Sequence, residues 1–477
     1  MSTITTTLTT LRQLAGLITA SVDAIEATYT SHGLDFPSLS ANTFSPTDPA
    51  EKLRQDPAVS AAIRTIVAAT SQLSAEVASP VASGMQAAQT HFISACLNAA
   101  LELNVVELLR ESGPDGMQRR ARPIRGLSVP RVLRLLVTHH IFRELRTDVF
   151  ANNRISAAFD KGKSSKELFE RPAERFDGLG TAGLAALAEH MTTINFRSAA
   201  ELTDAIVHTP PDASERILPF NKAYNTDLAH YAWLHQPENV LPFKRFALAM
   251  DGVMAMKPGD GILEGGFDWG SLPAGSRIVD VGSGNGQVSL HIARNHPELR
   301  IVNQDLASQI AGAEQRAASS SSKASFPSSQ PQRIDTPPAH DFFTPQPITD
   351  ADVFVLRYIT HNWQDDKVVR ILQHLRDAAK PGTRLVLIDD VVPAAARSSD
   401  SEPDLNARPV APAPLLPNWG IANAQTYYTD LIMYLLVDGV ERTVDGFARV
   451  LDCAGWKLER VYYPSGADQS HVVAVPV

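Results

Sequence analysis

The sequence predicts an α/β fold: a mostly parallel sheet covered by helices in the second half, preceded by a largely helical first half. Three observations carry this. Short β-branched runs cluster late in the chain, as "RIVDV", "RIVNQ", "ADVFVLRYI", "RLVLIDDVV" and "HVVAV", and helix-length segments separate most of them. That is the pattern of parallel strands joined by crossover helices. In the first half, apolar residues recur at three- and four-residue steps instead. At the start of the strand-rich half, "RIVDVGSGNGQVSLHI" sets three glycines at alternate positions between a strand-like run and a helix-like one. Such a junction lets backbone approach a ligand closely.

Taken in order, Leu11, Leu14, Ile18, Val22 and Ile25 form one amphipathic face, of which Leu11, Leu14, Ile18 and Val22 are expected to pack in a dimer interface with the alanine-rich helices. Gly33 and Pro37 break it. A long alanine-rich helical stretch follows from about Pro57, and "HFISACLNAALELNVVELL" is expected in a core or a subunit interface. "VPRVLRLLVTHHIFREL" reads as another amphipathic helix. "RTDVFANNRISAAF" has turn residues between short apolar runs, as in a small β-wing. Helix, helix, wing is a winged-helix pattern. The domain division is placed between residues 1–215 and 216–477. Two low-complexity stretches, "AASSSSKASFPSSQPQ" and residues 394–417, are read as mobile surface loops.

Composition narrows the function. The 477 residues carry 43 Lys and Arg against 52 Asp and Glu, a net charge of −9. This balance disfavours a chain built for nucleic acid or an anionic membrane. Arg119, Arg120, Arg122, Arg125, Arg131 and Arg134 run against it, but a DNA-binding role is the weaker reading. Cys96 and Cys453 have no zinc or redox spacing, which fits a reducing compartment. The N-terminus has no secretory pattern, and no window is apolar enough to span a membrane. A cytoplasmic protein is expected. His139 and His140 have no ligand-spaced partners, and no metal is expected.

The glycine spacing selects a ligand. A dinucleotide fingerprint needs a glycine at 287, where this chain has Gln287. A phosphate loop fits nowhere: "FDKGKSSKE" has Ala157 at the first glycine position and no preceding strand. What remains is D-x-G-x-G-x-G, formed by Asp280, Gly282, Gly284 and Gly286, which resembles the first motif of S-adenosylmethionine-dependent methyltransferases. An acidic residue after the next strand, Asp305, stands 19 residues beyond Gly286 and can accept ribose hydroxyls. Asp280 either orders the loop or meets the ligand's ammonium group.

A second constellation lies downstream. His361 falls just past the carboxyl end of "ADVFVLRYI", where ligand crevices of such sheets lie. A histidine there can serve as general base on a hydroxyl. Asp389, ending "RLVLIDD", and Glu441 are its candidate carboxylate partners, fixing the tautomer and stabilising the imidazolium.

Together these motifs resemble the class I, caffeate-type O-methyltransferases, particularly fungal members acting in secondary metabolism. "HDFF" matches the family's adenine-contacting motif at Asp341 and Phe342, and "LRYITHNW" matches its catalytic motif, with the base at His361 and an adenine-side aromatic at Trp363. "LPFNKAYNTDLAHYAWLHQPENV", "FDWGSLPAGSRIVDVGSG" and the "ERT" around Glu441 also follow the fungal pattern. The resemblance implies a Rossmann-like seven-stranded sheet, an N-terminal winged-helix dimerisation domain that does not bind DNA, and a homodimer. It implies S-adenosylmethionine as methyl donor, with Leu306 and Arg357 joining the donor site. It also implies a hydroxylated aromatic or polyketide-like acceptor, with a pocket drawn from Phe220, Asn221, Tyr224, His235, Met250, Tyr427, Asp430 and Met433. Asn362 stands where the family has Asp, Arg357 where it has Lys, and Asp389 where it has Glu. The Asn362 and Asp389 departures leave open an alternative, a non-methylating enzyme that rearranges or dehydrates its substrate on the same fold.

Overall fold

The computed structural model describes residues 7–113, 115–118, 129–177, 181–208, 217–256, 265–284, 286–307, 309–310, 334–335, 339–397, 408–464 and 469–477. Arg119, Arg120, Arg122, Arg125 and the serine-rich stretch lie outside these. The chain divides into two compact units, Met1–Lys257 with Trp419–Ala422, and Pro258–Asn418 with Asn423–Val477. The division expected after residue 215 therefore falls inside the first unit.

In the first unit, helix Thr7–Ser31 packs on helix Pro57–Val77. Ile25, Tyr29, Val59 and Ala62 form their shared core, with Ile63 and Ile66 against it. Leu14 is fully buried, so the amphipathic face is largely spent within the chain, and Val22 stays exposed. Asp56 caps the second helix by accepting the Ala58 and Val59 amides, with Pro57 at its first position. The long alanine-rich stretch is several helices, broken before Pro80, which has no amide to continue a ladder. Helices His91–Glu102, Val105–Glu111 and Val129–Thr138 enclose Leu101, Val105, Leu109, Leu133 and Leu136 together with Phe142 and Phe150 of the wing. The wing is a three-stranded sheet of β1 (Met117–Gln118), β2 (Arg143–Arg146) and β3 (Val149–Ala151), in the order β1-β3-β2.

Helices Ala182–His190 and Val240–Met256 cross at Gly183 and Gly252. A Cβ on Gly252 would lie 2.2 Å from the Gly183 carbonyl oxygen, so only glycine permits this approach. The contact draws residues 240–256 into the first unit. His190 and His230 are buried nearby, their rings 6.4 Å apart. His190 Nδ1 and His230 Nε2 have no hydrogen-bond partner among the described residues. Burial lowers their pKa values to about 3 and about 4.

The second unit is built on β4 (Arg277–Val281), β5 (Arg300–Gln304), β6 (Ile334–Asp335), β7 (Val353–Arg357), β8 (Arg384–Asp390), β9 (Trp456–Tyr462) and β10 (Gln469–Pro476). Their order is β6-β5-β4-β7-β8-β10-β9. β4 to β8 pair in parallel, and β10 runs antiparallel to β8 and β9. This is the Rossmann-like, mostly parallel seven-stranded sheet. Its central strands are buried on both faces, which is why they read as continuous apolar runs. Helix Asp365–Ala378 and helix Val444–Cys453 cover one face through Val368, Ile371, Leu372, Phe447 and Leu451. Residues 408–417 are not a loose loop. Ala411 and Leu415 are buried, and Arg397 donates to both their carbonyls at 3.1 and 3.0 Å.

Candidate active site

The parallel strands deliver their carboxyl ends to one edge of the sheet, and the predicted residues of the second unit collect there. β4 ends at Val281, and the chain turns through the glycine loop into helix Gln287–Asn295. Asp280 is 1% exposed. The Ser289 hydroxyl lies 2.7 Å from its Oδ2 and also against Asn303 Oδ1. This contact ties the end of β4 to the helix that follows the loop, in keeping with the loop-ordering role foreseen for Asp280. Burial raises the Asp280 pKa to about 6.

Gly282, Gly284 and Gly286 all have positive φ, at 74°, 57° and 71°. Gly284 has open space where a Cβ would stand, whereas a Cβ on Gly282 would meet Ile359 Cδ1 at 2.4 Å. Asp305 Oδ2 accepts the Gly284 amide at 2.7 Å and Oδ1 accepts the Leu306 amide at 2.7 Å. Each carboxylate oxygen retains acceptor capacity. The His340 amide donates to the Asp305 carbonyl at 3.0 Å, which brings Asp341 and Phe342 to the same corner. Phe342 stands edge-on to Trp363, 6.4 Å between centroids. A bare backbone cradle, a carboxylate at the next strand end and an aromatic edge fit the amino-acid tail, ribose and adenine of S-adenosylmethionine. Arg357 is turned toward β10, where its Nε donates to Gln469 Oε1 at 3.1 Å.

His361 sits in the 3-10 turn Thr360–Asn362, just beyond β7. Its Nδ1 lies 2.6 Å from Glu441 Oε1. Since an ionised carboxylate only accepts, Nδ1 carries the proton and Nε2 the lone pair. Burial lowers the His361 pKa, but the hydrogen bond to Glu441 and the charges of Glu441, Asp389 and Asp390 outweigh it, and the net displacement is upward. Glu441 is fixed in turn: its amide donates to Asp430 Oδ1 at 2.9 Å. The candidate carboxylates thus separate. Asp389 does not reach the imidazole and accepts from the Thr360 hydroxyl instead. Burial raises its pKa to about 6.

Three residues that sequence reasoning left out complete this corner. Arg442, buried beside Glu441, donates to the carbonyls of Thr360 at 2.9 Å and Trp363 at 2.7 Å, clamping both ends of the histidine turn. Tyr358 lies against the His361 ring, and Gln469 holds the Tyr358 hydroxyl. Arg442 was within reach through the "ERT" signature. Tyr358 sits inside the catalytic motif, but nothing in the sequence marks Gln469, 111 residues away.

The residues expected to line an acceptor pocket divide between the units. In the first, Phe220 has no exposed surface and packs among Tyr224, His230 and Trp233. Asn221 donates to the Thr226 and Leu228 carbonyls, which makes it a turn residue. His235 Nδ1 lies 2.6 Å from the Tyr231 carbonyl, and Met250 is exposed. In the second, the Tyr427 hydroxyl donates to the Pro393 carbonyl at 2.6 Å and accepts from Asn418 at 2.7 Å, anchoring the proline-rich segment. Asp430 is committed to Glu441. Met433 flanks Gly439, whose Cβ, if present, would lie 2.2 Å from the His361 carbonyl oxygen.

The O-methyltransferase domain family matches residues 200–407. An O-methyltransferase of Armillaria gallica is 35% identical over 98% of this chain and 99% of its own. The 4-O-methyltransferase 1 of Phanerochaete chrysosporium is 36% identical with the same coverage. A solved structure described as a pericyclic reaction enzyme shares the fold at 19% identity, with a TM-score of 0.60, over 87% of this chain and 94% of that one. The chain belongs to the fungal class I O-methyltransferases. It uses S-adenosylmethionine to methylate a hydroxyl of an aromatic or polyketide-type small molecule.

Proposed function

We propose that His361 is the general base of this methyl transfer and Glu441 the residue that orients it. The observation that carries the reading is the 2.6 Å contact between His361 Nδ1 and Glu441. It leaves Nε2, which has no protein partner among the described residues, as the atom available to a hydroxyl. Nε2 takes the hydroxyl proton, and Glu441 stabilises the imidazolium that results. Gly282, Gly284, Gly286, Asp305, Leu306, Asp341, Phe342 and Trp363 would hold S-adenosylmethionine, with Arg357 at the edge of that group. Bound there, it supplies an electrophilic methyl group on a sulfonium centre. The chain's part is positioning and exclusion of water around a donor that is already reactive.

The name of the Phanerochaete relative, 4-O-methyltransferase 1, supports an acceptor whose reacting hydroxyl is at position 4. We infer a homodimer, supported by Val77, Val81, Met85 and Phe92, which leave an apolar surface exposed on helices of the first unit. The net charge of −9 supports partners other than nucleic acid or an anionic membrane. The reading is tested with His361→Ala and a panel of 4-hydroxylated phenols, following S-adenosylhomocysteine formation. Turnover should fall about 10²–10⁴-fold with donor affinity retained. Turnover within threefold of wild type would sink the base assignment. Substrate loss from the panel without any S-adenosylhomocysteine would favour the non-methylating alternative.

A further inference from the structure

We propose that Tyr358 is a positioning residue for the reaction, a flat aromatic wall that sets the plane of His361 and favours its charged form. The proposal rests on reading His361 as the base. The two rings are stacked, with centroids 5.0 Å apart and planes inclined by 25°. Tyr358 adopts φ of 54°, a left-handed conformation unusual for a residue with a bulky side chain. The surroundings hold it there. Gln469 Nε2 donates to the Tyr358 hydroxyl at 2.6 Å, and Gln469 Oε1 accepts from Arg357 at 3.1 Å. Both ends of a buried amide are therefore spent on keeping the residues before the histidine turn in place. Gln469 begins β10 and pairs with Asp390 of β8. The antiparallel strand, which contributes no other residue to the proposed chemistry, thus supplies the wall's anchor.

The chemistry follows from the ring's charge distribution. An aromatic face is electron-rich and attracts a cation lying over it. When His361 Nε2 takes the acceptor's proton, the O–H bond breaks, an N–H bond forms, the oxygen keeps its electron pair and the imidazole gains one positive charge. The stack gains strength only as that charge appears, so it favours the reacting state over the resting one. Glu441, Asp389 and Asp390 act in the same direction. Arg357, whose guanidinium carbon is 5.2 Å from the same tyrosine ring, and Arg442, bonded to the turn, act against it.

The test reads His361 directly. The protein is labelled with ¹⁵N-histidine, and the imidazole signal missing from His361→Ala is followed through a pH titration. Tyr358→Phe keeps the face and should leave the His361 pKa nearly unchanged. Tyr358→Leu should lower it by about 0.5–1, a proton held roughly three- to tenfold less tightly. Pentafluorophenylalanine at position 358 keeps the ring but inverts its charge distribution, and should lower the pKa at least as far as leucine. Calorimetric titration with S-adenosylmethionine checks that each variant is folded. A titration unmoved by both leucine and the fluorinated ring overturns the proposal. His361→Ala turnover reads the base assignment separately. Wild-type-like turnover there removes any role for Tyr358 in the reaction, whereas lost turnover with an unmoved titration removes the Tyr358 proposal alone.

Discussion

His361 and Asp389 are both buried and both ionisable, and their surroundings send them to different tasks. Glu441 raises the affinity of His361 for a proton, so Glu441→Gln should lower it. The base is inactive when protonated, so the acid limb of the pH–rate profile should move to lower pH while its plateau falls. A limb that moves upward, or a plateau that holds, would contradict the pairing. Asp389 holds the Thr360 hydroxyl, and its raised pKa means that the fold prefers its neutral form. Its contribution to stability is present below pH about 4 and is lost as pH rises through about 6. Asp389→Asn keeps a hydrogen-bond acceptor without the charge. Thermal melts should show the variant gaining on wild type at pH 8 relative to pH 5, with little change in turnover. A larger gain at pH 5 would refute this. At this scale the meeting of His361 with Glu441 was legible, because a strand end marks the histidine and the "ERT" signature marks the glutamate. The commitment of Asp389 to Thr360 was not, since side-chain reach is decided by packing.

The glycine loop and the histidine turn fail differently when a side chain is added. Gly284→Val places a branched side chain, at positive φ, in the open space expected to receive the donor. S-adenosylmethionine binding should be abolished in calorimetric titration. Asp305→Ala removes the acceptor of two amides as well as the carboxylate proposed to hold the donor's ribose, and should weaken binding by about 1.5–3 kcal/mol. Unchanged affinity in both folded variants would remove the donor-site assignment. Gly439→Ala meets backbone instead, at the His361 carbonyl. It should lower kcat while donor affinity persists; parallel losses in both would mean a general collapse of the unit. The strands that bear these loops were legible because burial on both faces leaves continuous β-branched runs. β9 was missed: "WKLERVY" alternates apolar and charged residues, since much of it faces water. β6 is only two residues long, too short to show a period.

Across the whole molecule, the compact units differ from the expected division near residue 215 by three helices, and nothing local announces that Gly183 and Gly252 will touch. The stripe of Leu11, Leu14, Ile18 and Val22, expected in a dimer interface with the alanine-rich helices, lies on a helix that packs on one of those helices within the chain. Periodicity identifies an apolar stripe but not its partner, and helix Thr7–Ser31 finds one in its own chain. The exposed patch at Val81 and Met85 should matter more. Val81→Glu with Met85→Glu should shift light-scattering mass toward the monomer at micromolar concentration, and an unshifted dimer would place the interface elsewhere. The buried histidines of the first unit have a consequence for acid tolerance. His190 and His230 are neutral in the fold but take up protons once unfolded, so their contribution is full above pH 6.5 and is lost as pH falls below it. Glu189, displaced upward by burial, offsets part of that loss. In the second unit Asp280 and Asp389, with pKa values near 6, pull the other way and favour the fold as pH drops. Mild acidification should therefore drive the two units apart in melting temperature, so that one calorimetric peak at neutral pH resolves into two near pH 5, the helical unit melting first.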